Sequence, residues 1–409
     1  MKHAIIPAAV LSLFVLAGCG TEGPATFGSD RDFLLEHTDA VVLTGPDAQA
    51  QVVVVPQYQG RVMTSTSGGD DGMSCGWINR ALIASGKTGP HMNVFGGEDR
   101  LWFAPEGGQF SIFFKKGQPF DMKHWQTPPL IDTEPYEVLV STRDSVSFRK
   151  HARLVNYSGT RFTLQIDRTV RLLSAAEIAT ALKAPLPAGV RAVAYQSEST
   201  LANAGNTPWD KTTGLLSIWI LGQYNATPQT TVAIPFKTGP EAEFGPVLNR
   251  YPSFGTLLPE RLRVADGVVY FRADGRRRNK IGLFSRRAKG VCGSYDAVNK
   301  LLTIVQYNQP GGPADYANST WAIQTRPYVG DAISSYNDGP ITPGAKSLGG
   351  LFYEMETLSP AVALKPGASV LHVHRTIHLQ GDVAALSRIA KATLGVTVEQ
   401  ITAALRPIP

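Results

Sequence analysis

Alternation of apolar and polar residues with a period of two dominates the chain. Phe162, Leu164 and Ile166 alternate with Thr163, Gln165 and Asp167. Between Val370 and His378, Leu371, Val373 and Ile377 alternate with His372, His374, Thr376 and His378. Successive side chains of a strand point to opposite faces, so this pattern predicts strands with one face on a core. Val268–Arg272 and Leu301–Tyr307 are short runs rich in β-branched and aromatic residues, which favour strands as well. Turn residues punctuate the runs, as at Tyr157–Thr160 and Tyr336–Pro340, and 40 glycines and 28 prolines allow many such turns. Helical signals are few. Ser174-Ala-Ala-Glu177 reads as a capping box that opens a short helix bounded by Pro185, and residues 382–393 and 397–405 read as two helices. No repeat at solenoid periods occurs, and no linker divides the middle of the chain. The pattern predicts an all-β protein: one large antiparallel β-sandwich over residues 30–380, with a short helical C-terminal tail over 381–409.

The N-terminus adds an address. Lys2 is followed by an almost wholly apolar stretch, Ala4–Ala17, too short to span a bilayer as a helix. It ends in Leu16-Ala17-Gly18-Cys19, which resembles the lipobox of bacterial lipoproteins. That resemblance implies a signal peptide over 1–18, acylation at Cys19 and a lipid-anchored tether over 19–29. The alternative is an ordinary secretory signal cleaved elsewhere. Gly20 stands where an aspartate would imply inner-membrane retention, so placement in the cell envelope at the outer membrane is expected. Export favours oxidation, and Cys75 and Cys292 are candidates for a disulfide. Neither lies in a Cys-x-x-Cys pattern, so a metal role is not expected of them. The net charge of +6 is small for 409 residues and does not point to nucleic acid. A local cluster, Arg276, Arg277, Arg278, Lys280, Arg286, Arg287 and Lys289, suits either an anionic polysaccharide or a solvated face.

Candidate chemistry concentrates in three places. In Leu351–Ala361, alternation puts Glu354 and Glu356 on one strand face and Leu351, Tyr353 and Met355 on the other. Carboxylates about 6.5–7 Å apart on one strand face raise each other's pKa, which suits general acid–base work. The plain alternative is an exposed face with two charges. The second place is His91–Gly108, where two glycine pairs bracket a polar loop. Trp102 offers a stacking platform, and Glu98, Asp99, Arg100 and Glu106 offer donors and acceptors that match sugar hydroxyls. A buried structural Trp102 is the competing reading. The third is a set of weaker clusters. His372, His374 and His378 share a strand face with spacing that suits a metal or hydrogen bonds. Asp331, Asn337 and Asp338 are oxygen donors suited to sugar or to Ca²⁺, and are equally at home in turns. Trp209 and Trp219 suit a groove, with at least one expected in the core. Phosphate-loop, dinucleotide, nucleophile-elbow and zinc-protease motifs are absent, so no organic cofactor is expected.

The Glu354 stretch is followed by Pro360, Leu364–Ser369 and His372–Arg375, and earlier come Gly76-Trp-Ile-Asn-Arg80 and the glycine-pair element His91–Trp102. Together these resemble the galactose mutarotase-like superfamily. The lipobox, Gly96–Trp102, Pro105–Gly108, Lys280–Gly282, Gly293–Asp296, Tyr336–Gly339 and Tyr353–Glu356 further resemble an uncharacterised family of bacterial lipoproteins with that fold. The resemblance implies a β-supersandwich with a concave sugar-binding face. It implies a glutamate base, Glu354 or its rival Glu356, with Asn79, Arg80, Lys280, Asn337 and Asp338 among the ligand-binding residues. Phe95 stands where mutarotases carry a histidine before the glycine pair, and Ser199–Gly205 offers no counterpart of their second histidine. His91, His124, His151, His372 and His374 are the candidates to replace them. The expectation is a lipid-anchored envelope protein with a carbohydrate ligand that epimerises or otherwise modifies a sugar. A non-catalytic glycan-binding lipoprotein, and a lyase or hydrolase of acidic polysaccharide, are the alternatives.

Overall fold

The computed structural model describes residues 25–342 and 344–406. The signal peptide, Cys19 and the first part of the tether lie outside the described residues. The last part of the tether does not behave as one: Phe27–His37 is an α-helix capped by Thr26, with Phe27 and Leu34 buried one heptad apart. It packs on a three-stranded sheet, Val41–Thr44, Gln51–Val55 and Arg61–Thr66, through a small apolar cluster of its own.

Two larger antiparallel sheets form the body. The ten-stranded sheet runs, in spatial order, Leu262–Ala265, Val268–Arg272, Thr230–Pro235, Val291–Asp296, Leu301–Tyr307, Ser369–Gln380, Arg191–Asn203, Arg161–Leu172, Ser145–Val155 and Glu137–Ser141. The six-stranded sheet runs Leu248–Arg250, Asn279–Phe284, Asp331–Asn337, Phe352–Leu358, Ser217–Asn225 and Arg100–Ala104. The antiparallel sandwich expected from the alternation is therefore present. The inner face of the smaller sheet, including Leu101, Phe103, Ile218, Ile220, Ile333 and Met355, joins the main core with Phe148, Phe162, Ile166 and Phe271 of the larger sheet. The capping box at Ser174 opens the helix Ala175–Leu182 as expected. The expected C-terminal helices are present as Val383–Leu394 and Val398–Ala403. They cover the outer face of the ten-stranded sheet, burying Leu386, Ile389 and Leu394 against Tyr295, Ile304 and Ile377. Among the described residues, no helix is long and apolar enough to cross a membrane.

Strand Ser369–Gln380 corrects the simple reading of its alternation. Ile377 faces the covering helices, while Leu371 is exposed. The polar side, His372, His374, Thr376 and His378, is fully buried between the sheets. There each histidine has a hydrogen-bond partner. His372 and His374 both meet the Thr357 hydroxyl at 2.8 Å, and His378 bridges Thr303 and Glu98 at 2.9 Å each. Burial holds His372 at about 3 and His374 at about 4, so both are neutral there. Among the described residues no group of histidine, cysteine and carboxylate side chains is arranged to hold a metal ion. Cys75 and Cys292 are buried free thiols, not a disulfide.

Candidate acid–base and binding site

The outer face of the six-stranded sheet carries the site. Its register sets Tyr336 opposite both Lys280 and Glu354, Glu354 opposite Gln223, and Trp102 opposite Trp219. Because side chains alternate, Glu354 and Glu356 share this face while Tyr353 and Met355 turn into the core. The paired carboxylates predicted from the sequence are thus placed together; Leu351 precedes the strand and is exposed. Segments without strands fold over this face and close a cavity of about 240 Å³, room for a small ligand. Arg100, Trp102, Glu106, Gln223, Lys280 and Glu354 line it together with Trp125, Trp219, Trp321 and Phe254.

Glu354 lies at the sheet end of the cavity. Its Oε1 accepts from Arg100 Nη2 at 3.1 Å and from Gln223 Nε2 at 2.9 Å. Burial pushes its pKa up to about 7; the Arg100 guanidinium opposes the rise and the Glu356 carboxylate adds to it. Arg100 also lies 4.2 Å over the Trp102 ring, so one cation orients both a carboxylate and an aromatic wall. Glu356 lies deeper and is fully buried. Lys280 Nζ and Trp219 Nε1 each donate to its Oε2 at 2.9 Å. Burial alone would depress the Lys280 ammonium, but Glu356, Glu106 and Glu354 outweigh it and raise its pKa. Glu356 thereby anchors Lys280, which leaves Glu354 as the carboxylate that faces the cavity.

Glu106 is the second carboxyl on the wall. Burial lifts it to about 7 against the pull of Lys280, and the indole N–H groups of Trp321 and Trp125 attract its ionised form without closing a hydrogen bond. Among the described residues, the buried indole nitrogens of Trp102, Trp125 and Trp321 have no hydrogen-bond partner, nor does the buried Gln223 Oε1. A buried polar atom without a partner costs roughly 1–3 kcal/mol. All four residues line the cavity, and a polar ligand that reached these atoms would remove that cost.

The remaining predicted site residues lie elsewhere. Asn79 caps the helix Arg80–Ser85 by accepting from Leu82 N. Arg80 pairs with Asp30 at 2.6 Å and covers the Phe33 ring. Both belong to the N-terminal layer. Glu98 and Asp99 are fully buried between the sheets. Glu98 accepts from Ser65, and Asp99 pairs with Arg168 at 2.6 Å and accepts from Ser197. Burial would raise the Asp99 pKa, but the Arg168 guanidinium, with the hydrogen bond from Ser197, overcomes it and holds it low. These residues are structural because strand Arg100–Ala104 begins only after them. Asn337 holds Gly275 N and Arg277 O in a turn. Asp338 accepts from the amides of Leu348, Gly349 and Gly350, each at 3.2 Å. It fixes the loop that brings Leu348 to the cavity wall. Asp331 and Asn337 mark opposite ends of one seven-residue strand, about 20 Å apart, so they do not form a single Ca²⁺ site.

Trp209 is in the core and Trp219 lines the cavity. None of the five candidate histidines lines the cavity; the His91 ring meets the Trp125 carbonyl at 2.7 Å behind it. Of the basic cluster, Arg278 and Lys280 reach the cavity, Arg287 is buried on carbonyls of 237–245, and Arg276, Arg286 and Lys289 are exposed. Trp125 and Trp321, missed from the sequence, come from segments with no periodic pattern to assign them.

The antiparallel sandwich is shared with the Slr1438 protein of Synechocystis sp. PCC 6803. Its TM-score is 0.50 at 12% identity, over 84% of this chain and 96% of that one. Solved structures described as a galactose mutarotase-like protein from Lactobacillus casei and a galactose mutarotase related enzyme from Lactobacillus acidophilus are also similar. Their TM-scores are 0.44 and 0.43 at 10% identity, over 83% of this chain and 100% and 97% of theirs. No curated protein matches the chain. The chain belongs to a family of unknown function, DUF6786, whose model matches residues 25–405.

Proposed function

We propose that the cavity on the six-stranded sheet binds a sugar and that Glu354 is its acid–base residue. The observation that carries this is the setting of Glu354. It is a buried carboxyl brought to about 7, held on one oxygen by Arg100 and Gln223, and open to a cavity walled by four tryptophans. A group with a pKa near the working pH exchanges protons best in both directions. Aromatic faces beside unpartnered donors suit a pyranose, with its apolar C–H face and ring of hydroxyl oxygens. The likeness to mutarotase-like structures supports the same reading. The transformation would be an epimerisation or a related proton transfer at the anomeric carbon. The lipobox resemblance supports an envelope protein anchored through Cys19.

A non-catalytic glycan-binding role is the second reading, favoured by the absence of any histidine from the lining. A thermal-shift panel of neutral aldoses and uronates tests ligand class, since a ligand of the folded state raises its apparent stability. A shift for at least one sugar in the wild type, lost in Trp102→Ala, is expected. A shift that survives Trp102→Ala, or none for any sugar, contradicts the assignment.

A further inference from the structure

We infer that Glu106 is a second acid–base residue, acting across the bound ligand from Glu354; the inference rests on the sugar reading above. Its backbone leaves the side chain little choice of direction. Glu106 N–H donates to Ser319 Oγ at 3.1 Å, and the Ser111 hydroxyl donates to its carbonyl. A Cβ on Gly107 would lie 2.5 Å from Thr320 O, so residue 107 must be glycine for the two segments to touch. Gly108, at φ +83°, turns the chain away against Gln324. The turn clamps Glu106 between strand Arg100–Ala104 and the 318–324 segment, with its carboxyl on the cavity wall.

Among the described residues that carboxyl takes no hydrogen bond and makes no ion pair, unlike Glu354 and Glu356. It also borders a small hole of about 10 Å³, shared with Lys280, Tyr251 and Asp331, the size of about one water molecule. Asp331 Oδ1 is buried without a partner, so a water there would join Glu106 to Asp331. Burial lifts Asp331 to about 6, near enough to Glu106 for exchange of a proton. Glu106 therefore faces the ligand on one side and a route for its proton on the other.

The step balances without a co-reactant. The Glu354 carboxylate takes the proton of the anomeric hydroxyl, whose O–H electrons form the carbonyl. The bond from the anomeric carbon to the ring oxygen breaks, its electron pair goes to the ring oxygen, and that oxygen takes the Glu106 proton. Ring closure on the other face of the carbonyl reverses both transfers and restores the residues. The charged groups that face this pair are Arg100, Arg278, Lys280 and Glu356; Asp331 and the neutral phenol of Tyr251 are the titratable groups across the hole.

The test uses ¹³C-carboxyl-labelled glutamate in the full chain, with wild type, Glu106→Gln, Glu354→Gln and Glu106→Asp. Exchange between anomers of D-glucose, D-galactose, D-xylose and D-glucuronate is followed by NMR in the same samples. Two carboxyls titrating near neutrality are expected, one lost in each Gln variant. On the sugar that the wild type exchanges fastest, Glu106→Gln should lower the rate by about 100-fold or more. It should also abolish the fall at high pH, and Glu106→Asp should restore part of both. A Glu106 signal in the ordinary carboxylate range, or a Glu106→Gln variant with an unchanged pH profile, overturns the inference. If the wild type exchanges none of these sugars, the sugar reading fails separately. The carboxyl spectra then decide whether Glu106 and Glu354 form a pair, and absence of a neutral Glu106 titration overturns that too.

Discussion

Removing the Arg100 charge should lock Glu354 in its protonated form. Arg100 Nη2 lies 3.1 Å from Glu354 Oε1, and both side chains are buried. Unit charges at that distance attract by about 5 kcal/mol at an effective dielectric constant of about 20. Rearrangement and water entry reduce this, and a carboxyl beside an arginine is typically lowered by about 1–3 units, or about 1.4–4 kcal/mol. Arg100→Met keeps the contact with Trp102 and deletes the charge. The Glu354 midpoint should then move from about 7 to above about 8. Linkage sets the sign for stability. The folded state already binds the Glu354 proton more tightly than the unfolded chain, whose carboxyl titrates near 4.5. The group's contribution is therefore most favourable below about 4.5 and declines as pH rises through about 7. In Arg100→Met that decline should continue to higher pH, with a larger total loss. Carboxyl NMR, assigned with Glu354→Gln, reads the midpoint, and melting temperatures from about pH 5 to about pH 9 read the slope. A midpoint that stays at about 7 or falls would refute the assignment of Arg100 as the charge that holds Glu354 in its working range.

Other consequences are independent of this one. Asp338→Ala removes the acceptor of three loop amides; it should destabilise the fold by about 2 kcal/mol or more and speed hydrogen exchange at Leu348–Gly350, whereas unchanged exchange there would contradict its bracing role. Asp99→Asn strands the fully buried Arg168 guanidinium and should cost about 3–5 kcal/mol in denaturant unfolding; a loss below about 1 kcal/mol would show the pair to be dispensable. Cys75 and Cys292 should react as two free thiols in the oxidised, unfolded protein, and a reagent that finds none would mean that they pair after all.

The sandwich was legible because alternation survives wherever a strand has one covered face, as at Phe162–Asp167. It misled at Ser369–Gln380, where the outer face is covered only at Ile377 and Leu379 while Leu371 is exposed, and the interior side is built from hydrogen-bonded histidines. Hydropathy alone does not distinguish a buried polar layer from a solvated one. The helix Phe27–His37 was hidden by Gly28 and Ser29 in its first turn, although the Thr26 cap and the Phe27–Leu34 spacing are present in the sequence. At the site, Arg100, Trp102, Glu106 and Glu354 were identifiable as residue types in glycine-bracketed or alternating stretches, and Lys280 from the basic cluster and the family resemblance. Their neighbours Glu98 and Asp99 were not separable from them, because where the strand starts decides which polar residue reaches the cavity. Trp125 and Trp321 come from loops whose path is set by tertiary packing alone.

The most direct test of the central claim is the rate of anomer exchange in the sugar panel, measured by magnetisation-transfer NMR at neutral pH with wild type and Glu354→Gln. The account predicts catalysed exchange of at least one sugar by the wild type and a loss of about 100-fold or more in Glu354→Gln, with the melting temperature retained. Equal rates in the two proteins would contradict it.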